Sequence, residues 1–144
     1  MLRFYNSLSK MKEDFIPIEK GKVKIYTCGP TVYDYAHIGN FRTFLFEDFL
    51  KRTLQSLGYD VFHVMNITDV DDKTIKKSLE EGKELHEITE YYKSIFIKDL
   101  EILKILPPNE FPAATDHIDQ MINIIQILID KGHAYTTDDS SVFF

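Results

Sequence analysis

The spacing of apolar side chains changes twice along residues 23–67, from a strand-like pattern to a helical one and back. Residues 23–28 alternate apolar and polar side chains in their first half, which is typical of a half-buried strand. Residues 41–57 place apolar side chains every three or four positions, which predicts an amphipathic helix that Gly58 ends. Residues 61–67 are rich in β-branched and aromatic side chains, as in a buried strand. A strand, a helix and a strand in this order predict a right-handed crossover, a parallel sheet and an α/β fold.

The remaining sequence predicts short strands near both ends and three more helices. We expect strands at residues 2–5 and 140–144, and helices at 71–81, 85–103 and 118–129. Capping or breaking residues mark the helix ends: Asp71 and Asp72, Gly82, Pro107 and Pro108, Thr115 or Asp116, and Gly132. The last three residues are apolar and fall in the middle of the expected strand, so we expect the chain to be cut short.

Composition restricts the classes of function. The 144 residues suit about one domain. With 17 basic and 23 acidic residues, the net charge of −6 argues against nucleic-acid binding by charge alone as the whole task of the chain. No apolar run approaches the roughly 20 residues of a membrane span, and the first residues lack a secretory signal. Cys28 is the only cysteine, so an internal disulfide is excluded. We expect a cytoplasmic protein with neither DNA nor a membrane as a partner.

Potentially reactive side chains lie between the first strand of the crossover and its helix. Cys28 ends the strand, and His37, Gly39 and Asn40 open the helix. Ligands of parallel sheets bind at the carboxyl ends of strands, where helix N-termini present N–H groups to phosphates. His37 and Asn40 can donate hydrogen bonds there, and Gly39 lets a nucleotide approach the backbone. A simpler interpretation is that His37 and Gly39 only cap a helix and that Cys28 fills space in the core.

Sequence blocks around this loop resemble the cysteinyl-tRNA synthetase family of class I aminoacyl-tRNA synthetases. The resemblance is carried by residues 26–34, 37–40 and 66–73, with smaller matches at 4–8, 114–118 and 131–135. Residues 37–40 correspond to the class I His-Ile-Gly-His motif, with Asn40 in place of the second histidine. Asn40 keeps a hydrogen-bond donor but has no cationic form.

The resemblance implies a fold and a domain organisation. It implies that residues 1–144 form the first half of a Rossmann-like nucleotide-binding fold, a parallel sheet with flanking helices. Residues 115–144 would lead into an inserted connective region. The Lys-Met-Ser-Lys-Ser loop of class I synthetases is absent from the sequence, as is an anticodon-binding domain. We therefore expect the 144 residues alone to be inactive.

The resemblance also implies an activity. Family members activate L-cysteine with ATP and Mg²⁺ to cysteinyl-adenylate, and then transfer the cysteinyl group to tRNA(Cys). Cys28 corresponds to one of four ligands of a zinc ion that binds the substrate thiolate, and the other three ligands would lie beyond Phe144. A metal–sulfur bond rejects serine more strongly than an apolar pocket can.

By the same resemblance, site residues fall into overlapping groups. The catalytic residues are His37 and Asn40; ATP or adenylate contacts Gly29, Thr31, His37, Gly39, Asn40 and Thr43; cysteine contacts Cys28, Gly29, Asn66 and Thr68. Thr68 has a second interpretation as a strand-end cap. Asp69, Asp71 and Asp72 are interpreted as acids at a helix N-terminus, with a magnesium cluster as the alternative. Arg42 either meets a phosphate or faces solvent, and Lys76 and Lys77 are treated as surface charge.

Other functions remain open at this point. The nearest alternative is the related cysteine ligase of mycothiol-type biosynthesis, which an acceptor test would separate from the tRNA enzyme. A nucleotidyltransferase without an amino-acid substrate would have no use for Cys28. A truncated, non-catalytic paralogue that acts as a binding module is the non-enzymatic alternative.

Overall fold

The computed structural model describes residues 2–144 and contains short strands and four α-helices. The elements are β1 (Arg3–Asn6), β2 (Met11–Asp14), β3 (Lys22–Thr27), α1 (Ile38–Ser56), β4 (Asp60–Met65), α2 (Asp72–Glu81), α3 (Leu85–Ile102), a 3-10 turn (Ala114–His117), α4 (Ile118–Asp130), β5 (Tyr135–Thr136) and β6 (Val142–Phe143). None of the helices in this part of the chain is both long and apolar enough to span a bilayer.

The predicted strand–helix–strand unit and its parallel pairing are confirmed. β3 and β4 pair in parallel, from Lys22 opposite Asp60 to Thr27 opposite Met65, and α1 connects them. α1 contributes Leu54 to an apolar cluster with Val23 and Val61, so the helix packs on one face of the strand pair.

A third extended segment, which the sequence did not predict, lies along the other edge of β4. The Met65 N–H donates to the Glu110 carbonyl at 3.1 Å, and the Ile67 N–H donates to the Pro112 carbonyl at 2.8 Å. The parallel bridges Val64–Glu110 and Ile67–Ala113 set its register. The prolines around this segment argued against a strand in the sequence, because proline occurs in sheets mainly at edges and bulges.

Contacts from α1 hold the chain just before this third segment. Asp48 accepts the Leu106 N–H at 2.9 Å, and the Lys51 ammonium donates to the Pro107 carbonyl at 2.7 Å. These are contacts across more than 50 residues of sequence, so no local pattern could reveal them.

The core consists of two apolar clusters with polar side chains between them. The larger cluster joins α1, the end of β4 and α3 through Phe44, Met65 and Phe96, and the smaller is the Val23 cluster described above. Between them lie the buried side chains of Glu47, Lys51 and His63, which we call the polar layer. Buried polar groups need hydrogen-bond partners, so this layer constrains how α1 sits on the sheet.

The ends of the chain form two small hairpins. β1 pairs with β2, which was not predicted, and β5 pairs with β6. α4 follows the predicted span, but the expected cap by Thr115 or Asp116 is wrong, because His117 is the N-cap and makes no side-chain cap bond. Thr115 instead binds Asp69, which tertiary contact brings to it.

Candidate active site

The loop after β3 and the N-terminus of α1 enclose a cavity of about 400 Å³. Six of the predicted site residues line it: Cys28, Gly29, Thr31, His37, Asn40 and Thr43. Gly39, Asn66 and Thr68 are not among the lining residues. The cavity lies beyond the carboxyl end of β3, where parallel sheets bind ligands.

The N-terminus of α1 presents two neutral hydrogen-bond donors to this cavity. His37 is the N-cap, and its Nδ1 accepts the Gly39 N–H at 3.0 Å. The neutral imidazole therefore carries its proton on Nε2. The Asn40 Oδ1 accepts the His37 N–H at 3.0 Å, which leaves the amide NH₂ of Asn40 as a donor. Since both side chains line the cavity at the positive end of a helix dipole, the arrangement suits an anion.

Gly39 is required by the histidine cap. A Cβ at this position would lie 2.8 Å from His37 Cε1 and 3.0 Å from His37 Nδ1, and it would meet no other residue beyond its own turn of helix within 4 Å. The absence of a side chain therefore lets the imidazole fold back over the first turn. Capping and presentation of His37 to the cavity depend on the same geometry, so the two interpretations of His37 are compatible.

Asn66 connects the ends of the two parallel strands. Its Oδ1 accepts the Gly29 N–H at 3.2 Å and the Tyr26 hydroxyl at 3.1 Å, and its Nδ2 donates to the Thr68 hydroxyl at 3.2 Å. Gly29 packs so closely that a Cβ there would lie 1.8 Å from the Asn66 carbonyl oxygen. Asn66 and Thr68 thus hold the cavity floor in place.

Thr68 also continues the strand pairing. Its N–H donates to the Pro30 carbonyl at 3.0 Å, and its carbonyl accepts the Val32 N–H at 3.1 Å. These bonds extend the parallel pairing past Cys28, which is exposed at the cavity wall as a free thiol.

The polar layer contacts the last residue of β3, Thr27. The Thr27 hydroxyl and His63 Nε2 are 2.9 Å apart, while His63 Nδ1 and one Glu47 oxygen are buried without a partner in the described chain. Burial raises the pKa of Glu47, and a hydrogen bond with the Thr27 side chain partly opposes this. Burial, followed by the charge of Lys51, lowers the pKa of His63. Burial also lowers the pKa of Lys51, against the charge of Asp48.

The three aspartates after β4 have separate structural roles. Asp71 is the N-cap of α2 and accepts the Thr74 N–H at 2.9 Å, and Asp72 lies in the first turn, as the preferred interpretation predicted. Asp69 is not a helix acid: it is buried and accepts both the N–H and the hydroxyl of Thr115. Within residues 2–144, no three His, Cys, Asp or Glu side chains lie together as a metal site would require.

The cavity lining also includes residues to which the sequence assigned no role, among them Lys73 and Tyr33. The Lys73 ammonium lies 5.3 Å from the centroid of the Tyr33 ring. Both fall in the sequence blocks that resemble the synthetase family, and this was the available signal. Aromatic side chains of α3 complete the wall through Tyr92 and Phe96.

Asp34 also lines the cavity. The other charged side chains that the sequence singled out lie outside it. Arg42 is exposed and is not a lining residue. Lys76 and Lys77 form ion pairs with Glu80 and Glu81 on the same helix, which agrees with surface charge. His86, His117 and His133 are exposed.

Comparison with known proteins gives one family over most of the chain. Residues 14–144 match the family described as tRNA synthetases class I (C) catalytic domain. A cysteine–tRNA ligase of Chlamydia muridarum is 57% identical over 143 residues, covering 99% of this chain and 30% of that protein. Cysteine–tRNA ligases of Brachyspira hyodysenteriae and Pyrococcus furiosus are 54% and 48% identical over 97% and 99% of the chain. The chain spans about 30% of the length of each of these relatives.

Proposed function

Since the chain belongs to the family of class I (C) tRNA synthetase catalytic domains, we propose that its complete gene product is a cysteine–tRNA ligase. The substrates are L-cysteine, ATP with Mg²⁺, and tRNA(Cys). One observation carries the proposal: a cysteine thiol and the two neutral donors of a helix N-terminus line the same cavity. Residues 1–144 supply the first half of a Rossmann-like nucleotide-binding fold, and residues 115–144 lead into an inserted region. The protein acts in the cytoplasm.

The N-terminus of α1 stabilises the first reaction step. The carboxylate of cysteine attacks the α-phosphorus of ATP, the bond to the bridging oxygen breaks, and pyrophosphate leaves. Negative charge increases on the phosphate oxygens in the transition state. The Nε2–H of His37 and the amide of Asn40 donate to these oxygens, and they need no protonation change to do so. One such donor to a charged phosphate is worth about 1.5–3 kcal/mol, or about 10- to 150-fold in rate.

Cys28 recognises the amino acid. Its thiol is exposed at the cavity wall, while the loop backbone beside it is fixed by Asn66. Zinc binding needs about four ligands, and residues 2–144 contain no group of three candidate ligands. The described residues therefore do not form a zinc site by themselves. Zinc remains a proposal for the complete gene product, with Cys28 as one ligand.

Cysteine-dependent exchange of pyrophosphate into ATP tests the proposal. The complete gene product should exchange with cysteine and charge tRNA(Cys), whereas the 144 residues alone should not, because the Lys-Met-Ser-Lys-Ser motif of the family is not among them. Replacement Cys28→Ser should lower cysteine-dependent exchange by at least about 100-fold. Since Cys28 is exposed, the thermal unfolding temperature should not change.

The same assays separate the alternatives. Transfer of cysteine to an amino sugar and not to tRNA would indicate the mycothiol-type ligase. Nucleotidyl transfer that is independent of cysteine and unaffected by Cys28→Ser would indicate a nucleotidyltransferase. Absence of every exchange activity from the complete gene product would contradict the enzymatic proposal and favour a binding module.

A further inference from the structure

Formal positive charge at the cavity comes from one side chain. The donors at the start of α1, His37 and Asn40, are neutral in the bonding pattern described above. Lys73 is the only lysine or arginine among the residues that line the cavity in the described chain. A triphosphate or a nucleic-acid strand carries several negative charges, so neutral donors leave most of that charge uncompensated.

Within residues 2–144, Lys73 forms no ion pair, unlike its neighbours on α2, although Asp34 lines the same cavity. Lys76 and Lys77 pair with Glu80 and Glu81 at 3.7 and 3.2 Å. Residues three and four positions after Lys73 are these same lysines, so its helical neighbours repel it.

The carboxylate four residues before Lys73, that of Asp69, already has hydrogen-bond partners. Asp69 is buried and accepts two hydrogen bonds from Thr115. The contact that the structure gives the Lys73 ammonium is the face of the Tyr33 ring, at 5.3 Å from its centroid. A cation–π contact holds an ammonium in place without neutralising it.

The position of Lys73 in α2 is electrostatically unfavourable for the free protein. It lies in the first turn, directly after Asp72, at the positive end of the helix dipole. Acids suit that position and cations do not. Local helix stability therefore does not explain this lysine, whereas an anion in the cavity would.

We propose that Lys73 binds a phosphate group of a substrate, with Tyr33 holding its ammonium toward the cavity. This inference rests on the proposed function. The phosphate belongs either to ATP or to the 3′ end of tRNA, and both have the same chemistry at this position. Lys73 therefore provides the formal charge, and His37 and Asn40 provide directional hydrogen bonds.

Three variants of the complete gene product test this inference. Lys73→Met removes the charge and retains the length of the side chain, Lys73→Arg retains the charge, and Lys76→Met is the control on the same helix outside the cavity. Steady-state exchange gives KM for ATP and for cysteine, and aminoacylation gives KM for tRNA. Thermal unfolding should show Lys73→Met to be as stable as the wild type or more stable, because the substitution relieves the dipole and lysine repulsion.

We expect Lys73→Met to raise KM for ATP or KM for tRNA about tenfold, as for the loss of one charge-assisted hydrogen bond. KM for cysteine should stay within about twofold, Lys73→Arg should recover most of the loss, and Lys76→Met should match the wild type. A rise for ATP alone identifies the triphosphate, and a rise for tRNA alone identifies the acceptor end. Unchanged KM values for both substrates would overturn the inference.

The inference can fail separately from the proposed function. If the wild-type protein shows no cysteine-dependent exchange, the proposed function fails, and calorimetric titration with ATP still tests Lys73. The same titration is carried out with tRNA(Cys). Weaker binding of ATP or of tRNA by Lys73→Met than by Lys76→Met would then support the phosphate contact, and equal binding of both ligands would refute it.

Discussion

Replacement Gly39→Ala should separate stability from activity at this site. The new Cβ would lie 2.8 Å from His37 Cε1 and would meet no other residue beyond its own turn of helix within 4 Å. Relief therefore requires the imidazole to rotate away. This rotation breaks the 3.0 Å bond from the Gly39 N–H to His37 Nδ1 and moves Nε2, which is the donor proposed for the phosphate.

The effects on stability nearly cancel. Alanine in place of glycine stabilises a helix by about 0.5–1 kcal/mol. Loss of an N-cap hydrogen bond costs about 0.5–2 kcal/mol. The net change lies between about 0.5 kcal/mol of stabilisation and about 1.5 kcal/mol of destabilisation, which is at most a few degrees in Tm. The effect on the reaction does not cancel: one hydrogen bond to a charged phosphate is worth about 1.5–3 kcal/mol, or about 10- to 150-fold in kcat/KM for ATP.

Cysteine-dependent exchange and thermal unfolding are measured on the same preparations of the complete gene product. His37→Ala provides the matched background, because it removes the side chain that the new Cβ would approach at 2.8 Å. In that background, Gly39→Ala should stabilise the protein by about 0.5–1 kcal/mol and should not lower activity further. Exchange by Gly39→Ala within about threefold of the wild type would refute the argument that Gly39 positions His37.

Two further substitutions probe the strand ends and the polar layer. Gly29→Ala should destabilise the 144-residue chain by about 3 kcal/mol in urea unfolding, because its Cβ would lie 1.8 Å from the Asn66 carbonyl oxygen; a loss below about 1 kcal/mol would contradict this. The pKa of His63 is lowered in the folded chain from its ordinary value of 6.5. As the pH falls below 6.5, the His63 imidazole of the unfolded chain is therefore protonated before that of the folded chain. Its contribution to stability should therefore decrease as the pH falls through 6.5. The pKa of Glu47 is raised above 4.5, so its contribution to stability increases as the pH falls. The wild type is therefore compared with His63→Gln, in which the contribution of His63 to the slope of unfolding free energy against pH should disappear. Identical pH slopes for the two proteins in urea unfolding would contradict the assignment.

The crossover was predictable because its causes are local. The two-residue period of β3 and the three-to-four-residue period of α1 are properties of consecutive side chains. The capping acids of α2 and the span of α3 follow from the same kind of pattern. The carboxyl-end rule for parallel strands then indicated Cys28, His37 and Asn40 as neighbours, and the structure places all three around one cavity.

The errors lie where distant residues decide the structure. The strand-like segment at 110–113 contains Pro112 and little periodicity, and its hydrogen bonds to Met65 and Ile67 create it. Thr115 has the chemistry of a helix cap, but it binds Asp69, which is 46 positions away in the sequence. A cap prediction considers only neighbours in the chain, so it could not anticipate this competition.

By itself, the sequence determined the four helices, the parallel pairing of β3 with β4 and the residues that resemble a synthetase site. Short-range periodicity and short motifs encode all of these. Only the tertiary structure decided that Asn66 bonds to Gly29 and Tyr26, and that Lys73 lies at the cavity beside the Tyr33 ring with no ion pair within residues 2–144. These properties depend on distances between side chains from different elements, and such distances exist only after the helices have packed on the sheet.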